Sequence, residues 1–219
     1  MRCTRQFENR ARRSGYRLVA GVDEVGRGAL FGPVVAAAVI LDSERPIPGL
    51  NDSKQLEPQL REELADQVRR TALACHVAAV DAAQIDRVNI YQAARLAMRR
   101  AVEGLVPAPD FLLVDALCLD LPLPQRPLIK GDCRSVSIAA ASILAKVERD
   151  AWMRQWDAVF PGYGLAAHKG YATPEHLRSL QRFGPSPLHR RSFAPVAAVS
   201  LFPLESPPFN LSLFDDWPG

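Results

Sequence analysis

The stretch Arg17-Leu-Val-Ala-Gly-Val-Asp-Glu-Val-Gly-Arg-Gly-Ala-Leu-Phe-Gly-Pro-Val-Val-Ala-Ala-Ala-Val-Ile-Leu41 decides how this chain is read. Residues 17–23 read as one strand, and Pro33 to Leu41, an unbroken apolar run, as a second and more deeply buried one. The glycine-rich turn between them is short, which predicts an antiparallel hairpin at the start of a sheet. Two acids, Asp23 and Glu24, stand where the first strand ends and the chain turns. Adjacent strand residues point to opposite faces, so both can serve one site only at a strand end.

Further elements follow from periodicity. Asn51-Asp52-Ser53 offers capping side chains before a helix from Lys54 to Arg70, with Leu56, Leu60, Leu64 and Val68 four residues apart. Cys75 to Val80 reads as a strand, Asn89 to Leu105 as a helix, Phe111 to Asp115 and Pro127 to Lys130 as short strands. A long helix is predicted from about Ser135 to Phe160, its Ala139, Ala140 and Ala141 allowing close packing on the sheet, and a short one from Pro174 to Phe183. Asp115 closes its strand as Asp23 does, and Asp132 follows another strand end. Acids from three strand ends are thus expected at one edge of a sheet, where α/β folds carry their functional groups.

An acid at a strand end is more often a cap or a solvated turn residue, so only the set of acids together points to a site. Four carboxylates together repel unless a cation neutralises them. With oxygen ligands and no His or Cys cluster beside them, Mg²⁺ or Mn²⁺ is favoured over zinc. Two such ions about 4 Å apart can activate water and stabilise a leaving oxygen in phosphodiester hydrolysis.

Composition agrees without deciding. The net charge is +3, and the final 24 residues hold Glu205, Asp215 and Asp216 but no Lys or Arg, leaving +6 on residues 1–195. A moderately basic body suits a polyanion. The four lysines, Lys54, Lys130, Lys146 and Lys169, all fall in the motif segments below. The four cysteines show neither zinc spacing nor a disulfide framework, and no run is apolar enough to cross a membrane, so a cytoplasmic protein is expected.

The ordered set Gly21-Val-Asp-Glu-Val-Gly-Arg-Gly28, Asn51-Asp-Ser-Lys-Gln-Leu56, Val114-Asp115, Lys130-Gly-Asp132, Ala140-Ala-Ser-Ile-Leu-Ala-Lys-Val147 and His168-Lys-Gly-Tyr171 resembles the ribonuclease HII family, the type 2 ribonucleases H, from about Leu18 to Val196. The resemblance implies a ribonuclease H-like mixed β-sheet flanked by helices, with a C-terminal helical portion and a flexible tail. One catalytic domain over 1–195 is expected, followed by a proline-rich tail over 196–219, where the composition shifts and helical periodicity fades. Asp23, Glu24, Asp115 and Asp132 become the catalytic, metal-binding carboxylates, with two ions of Mg²⁺ or Mn²⁺ in the substrate complex.

The implied activity is endonucleolytic hydrolysis of the RNA strand of RNA/DNA hybrids, and cleavage 5′ of ribonucleotides embedded in DNA. In such enzymes the loop matching Gly26-Arg27-Gly28 contacts the 2′-hydroxyl, and a tyrosine matching Tyr171 packs on the adjoining deoxyribose. Ser53 and Lys54, read as a helix N-terminus, and Arg134, Ser137, Lys146, His168 and Lys169 are candidate phosphate contacts. Where the family commonly has Asp-Gly, this chain has Asp115-Ala116-Leu117, and Cys133 replaces an expected serine or other polar residue. His189 to Phe193 resembles a C-terminal signature of unassigned role, and no role is given to His76, His176 or His189.

Two rival readings stand beside this one. A non-catalytic nucleic-acid-binding α/β domain, or a dinucleotide-binding one, would need no acid cluster facing phosphates, and neither G-x-G-x-x-G nor a P-loop is present. The sister ribonuclease HIII carries an additional N-terminal domain, for which about sixteen residues leave no room. In the tail, Asn210-Leu-Ser-Leu-Phe214 resembles the peptide by which bacterial proteins dock on the replication sliding clamp, with Leu211, Leu213 and Phe214 as its anchors. A monomer is expected.

Overall fold

In the computed structural model, which describes residues 3–199 of the 219, the hairpin forms as expected. Strand β1 (Val19–Val25) pairs antiparallel with β2 (Val34–Ile40), from Ala20 opposite Ile40 to Val25 opposite Val35. Every residue of β2 is buried, as its unbroken apolar run requires. Three further strands, β3 (Ala74–Val80), β4 (Phe111–Asp115) and β5 (Gln125–Leu128), complete a mixed five-stranded sheet in the order β3-β2-β1-β4-β5. The β1–β4 and β4–β5 pairs are parallel, so β1 and β4 run out at the same edge.

The described residues divide into two compact units. The first comprises 3–25, 35–79 and 94–147 and holds most of the sheet. Helix α1 (Gln6–Arg13), arginine-rich and not expected from the sequence, docks through Phe7 and Ala11, one turn apart, on a cluster with Val19, Leu113, Leu128 and Ile138. Its buried Glu8 accepts from the Ser135 hydroxyl at 2.5 Å and the Ser137 amide at 3.0 Å, anchoring the start of α5 (Val136–Val159). Gly21 lets α5 lie directly on β1, since a Cβ there would stand 2.1 Å from the carbonyl carbon of Ser137.

Helix α2 (Pro58–Thr71) begins later than expected. Pro58 forces the preceding Glu57 out of helical geometry, and Leu56 is extended too. Ser53 to Gln55 therefore form a separate 3-10 turn capped by Asp52, and Ser53 and Lys54 do not stand at the N-terminus of a long helix.

The second unit comprises 26–34, 80–93 and 148–199. Its core gathers Phe31, Met153, Trp156, Phe160, Tyr163, Leu165, Leu180 and Val196. Helix α3 (Ala82–Val88), capped by Asp81, was not anticipated, and α4 (Ile90–Glu103) starts in this unit and ends in the first, with the Asn89 carboxamide accepting two of its first amides. After α6 (Leu165–His168), α7 (Pro174–Phe183) has Thr173 at its cap and Pro174 in its first turn. Helix α8 (Ala194–Val199) crosses the boundary expected at residue 195, with Val196 fully buried. Among the described residues no helix is long and apolar enough to span a membrane. Asn210 to Phe214 lie outside them.

Candidate active site

The sheet register assembles the acids of the first unit. The β1–β4 pairing ends at Val22 opposite Val114, so Asp23 and Asp115 come next at the same edge. Asp23, Glu24 and Asp115 each offer an oxygen, and these atoms lie within 4.8 Å of one another. Oxygens around a six-coordinate Mg²⁺ stand about 3 to 4 Å apart, so the all-carboxylate set fits one hard divalent cation.

Asp23 is 4% exposed. Burial holds its carboxyl well above the usual range and the charges of Glu24 and Asp115 push it further, against hydrogen bonds from Ser142 and from the Glu24 amide, which donates at 2.8 Å. Burial raises Asp115 to about 6; the Gly131 amide, donating at 2.6 Å, opposes this, and Asp132 and Glu24 add to it. These groups resist ionisation because like charges share a dehydrated edge, a penalty a bound cation would relieve.

Asp132 is brought near but falls in a second group. It lies in a 3-10 turn (Gly131–Cys133) beyond β5, not at the strand end, and its donor atom clusters with those of Asp52 and Cys133. Lys54 Nζ stands 3.6 Å from Asp132 and 3.9 Å from Asp52. Burial works against the Lys54 charge, yet Asp52, Asp132 and Asp23 hold its pKa above the ordinary value. Asp52 and Ser142 lie within the motif segments but are not among the residues expected at the site; Asp52 is also the cap of its 3-10 turn. Ser53 is buried, its hydroxyl 2.9 Å from that of Ser142, which in turn bonds Asp23. Cys3 donates to the Asp132 carbonyl at 3.0 Å, its thiol pushed up to about 12 by burial and then by Cys133 and nearby acids.

Of the other candidates in this unit, Arg134 is half-buried, bonds the Ile129 carbonyl and lies 5.0 Å over the Phe7 ring. Ser137 is fully buried, and Lys146 half-buried on α5. Ala116 adopts φ +57°, a left-handed conformation that glycine would take without strain.

The second unit holds the remaining candidates. Gly26 turns at φ +89° and a Cβ on it would strike Arg149, whereas Gly28 is exposed and a Cβ there would meet nothing within 4 Å. Ala29 and Tyr171 form an antiparallel bridge, and Leu30 donates to the Gly170 carbonyl. Lys169, at φ +55°, turns its ammonium to the Ala166 carbonyl. His168 accepts from the Gly170 amide at Nδ1, so its Nε2 donates to the Tyr163 carbonyl at 2.7 Å.

Of the histidines without an assigned role, His176 and His189 are structural. His189 Nδ1 accepts the Ser186 amide, so its Nε2–H donates to His176 Nε2 at 3.0 Å, and His176 Nδ1–H donates to the Tyr171 carbonyl. Burial keeps both below the usual imidazole range, His176 at about 4.

Comparison with known proteins agrees in sequence and in fold. A family model described as Ribonuclease HII matches residues 20–196. A protein named Ribonuclease HII from Solibacter usitatus (strain Ellin6076) is 64% identical over 214 residues, covering 98% of this chain and 93% of that one. The crystal structure of the ribonuclease H2 from Pyrococcus horikoshii OT3 superposes with a TM-score of 0.72 at 24% identity, over 84% of this chain and 97% of that one. The structure of the PCNA:RNase HII complex from Archaeoglobus fulgidus gives 0.64 at 29% identity, over 75% and 87%.

Proposed function

The chain belongs to the ribonuclease HII family, and from that premise we propose that it hydrolyses the RNA strand of RNA/DNA hybrids and cuts 5′ of ribonucleotides embedded in duplex DNA, leaving 3′-hydroxyl and 5′-phosphate ends. The observation that carries this reading is the convergence of Asp23, Glu24 and Asp115 at one sheet edge, with Asp132 and Lys54 close by. A non-catalytic binder would gain nothing from acids facing phosphates.

Asp23, Glu24, Asp115 and Asp132 are the residues we assign to two ions of Mg²⁺ or Mn²⁺. When bound, such ions supply Lewis-acid activation of water and neutralise charge on the scissile phosphate. The chain's own residues prepare the ligands. The Glu24 amide fixes one Asp23 oxygen and the Gly131 amide one Asp115 oxygen, so neither carboxylate has to be reoriented on binding.

The glycines support the assignment of Gly26-Arg27-Gly28 to the ribose. The fold accounts for Gly26 but supplies no steric reason for Gly28, whose bare backbone is open to close approach by a sugar. Tyr171 is assigned to the neighbouring deoxyribose. Lys54 is the phosphate contact best supported by exposure; Ser53, Arg134, Ser137, Lys146, His168 and Lys169 would act near it or through backbone. We assign the protein to the cytoplasm, as a monomeric catalytic domain followed by a tail. Incubation with a duplex containing one ribonucleotide in Mg²⁺ or Mn²⁺, with the ends mapped, tests the reading; 2′,3′-cyclic phosphate products would overturn it.

The peptide Asn210 to Phe214 is assigned to a sliding clamp, a reading supported by the Archaeoglobus fulgidus relative, whose structure is of a complex with PCNA. Truncation should follow Val199, since Val196 belongs to the core. The shortened protein is expected to cleave short substrates normally and lose binding to the organism's clamp; a full-length chain without clamp affinity would refute this.

A further inference from the structure

We propose that Arg149 is a positioning residue for ribonucleotide selection: its guanidinium, forked across carbonyls of two separate loops, fixes the Gly26–Gly28 turn against Tyr171. This rests on the assignment of those two elements to the ribose and the adjoining deoxyribose.

Arg149 projects from α5 within the second unit and is 0% exposed. Its three nitrogens all donate to backbone: Nε to Pro33 at 3.2 Å, Nη2 to Phe31 at 3.1 Å and Nη1 to Lys169 at 2.9 Å. The first two acceptors follow the glycine turn, and the third lies two residues before Tyr171. The same guanidinium touches the reading elements themselves. Gly26 lies so close that a Cβ there would stand 2.3 Å from Nε, and the Tyr171 ring centroid is 5.5 Å from the guanidinium carbon. A cation over an aromatic face is attracted to it, so the ring is held as well as the backbone.

Arg190 repeats the device. It is equally buried and donates to the Gly32 carbonyl and, at 2.9 Å, to the carbonyl of Arg27, the middle residue of the turn. Burial, then the charge of Arg149, lowers it to about 9. Two buried cations whose hydrogen bonds go to neutral carbonyls are a costly way to fill space, and apolar side chains would do so more cheaply. What apolar groups lack is the planar fork that holds several carbonyls at fixed separations. Lysine lacks it too, because its donors share one atom.

The test uses the full chain with Arg149→Lys, which keeps the charge and removes the fork. kcat and KM are measured at saturating Mg²⁺ on duplex DNA with one ribonucleotide and on a uniform RNA/DNA hybrid, beside Tyr171→Ala and the double variant. Arg149→Lys is expected to lower kcat on the single-ribonucleotide duplex about 10- to 100-fold, the scale of a 1 Å misplacement, with a much smaller loss on the hybrid. In the Tyr171→Ala background it should add less than about twofold, because coupled residues are non-additive. Mn²⁺ affinity by calorimetry should not change, since the acids belong to the first unit.

Equal losses on both substrates, additive effects of the two substitutions, or weakened Mn²⁺ binding would each overturn the proposal. If Arg149→Lys does not fold, Arg190→Lys faces the same test, and failure of both to fold would make the pair purely structural and refute the inference. If Tyr171→Ala itself loses both substrates equally, the underlying assignment of Tyr171 fails. A selective Tyr171→Ala with an unselective Arg149→Lys leaves that assignment standing and sinks only the role of Arg149.

Discussion

Replacing Asp115 by Asn should separate stability from catalysis. With its carboxyl raised from 3.8 to about 6, the metal-free protein is penalised whenever Asp115 is ionised. At 1.36 kcal/mol per pH unit this is about 3 kcal/mol, and because the residue is only half-buried, solvent screening brings it to roughly 1.5 kcal/mol. The sign follows from linkage: a carboxyl raised on folding costs nothing below the unfolded value, and its penalty grows as pH rises through about 6. Asparagine has nearly the same shape and its oxygen can still accept the Gly131 amide. In EDTA at pH 8 the variant should therefore melt about 3–6 °C above the unsubstituted protein, and the difference should vanish near pH 4. With saturating Mg²⁺ the order should reverse, and cleavage should fall by about 100-fold or more, since even outer-shell partners of a metal ligand are worth 10- to 100-fold. Scanning calorimetry at pH 4, 6 and 8 with and without Mg²⁺, beside a cleavage assay, reads all of this. A variant that melts lower than the parent in EDTA at pH 8, or keeps the full Mg²⁺ stabilisation, would refute the electrostatic account of the site.

Gly28→Ala, facing open space, is expected to leave the melting temperature within about 1 °C while impairing cleavage of the single-ribonucleotide duplex; unimpaired cleavage would remove the loop from substrate contact. Gly21→Ala drives a methyl into the α5 backbone and should cost about 3 kcal/mol or more, seen as loss of folded protein, so a normal melting curve would contradict the packing. Ala116→Gly relieves a left-handed alanine and is expected to gain about 0.5–1 kcal/mol in chemical denaturation; a loss would show that the loop is unstrained. His176 resists protonation when folded down to about pH 4, so its contribution is intact above 6.5 and falls as pH drops through that window, by about 3 kcal/mol in total. Melting temperatures of the parent and His176→Gln from pH 7.5 to 4.5 check this, and parallel curves would count against it.

The strands, the helices α4, α5 and α7 and the acids that stand at strand ends were legible in the sequence because their causes are local. An unbroken apolar run can only be a buried strand or helix, as β2 shows, and proline with threonine starts α7 where the pattern says it should. The resemblance to ribonuclease HII was legible because an ordered set of short motifs outweighs each of its members. The tertiary structure alone decided what depends on distant elements meeting. Helix α1 shows only Phe7 and Ala11 as an apolar face among its arginines, and it is held by Glu8 reaching the start of α5. Asp132 shares its donor group with Asp52 and Cys133, and not with Asp115, because a 3-10 turn intervenes after β5. Arg149 and Arg190, ordinary surface-type residues by composition, are fully buried because the loops that wrap them bring backbone carbonyls in place of water. Periodicity reports which face of an element is apolar. Whether a charge on that element ends in solvent, beside a cation or beneath a loop is set by the free energy of groups far apart in the chain, which no local pattern encodes.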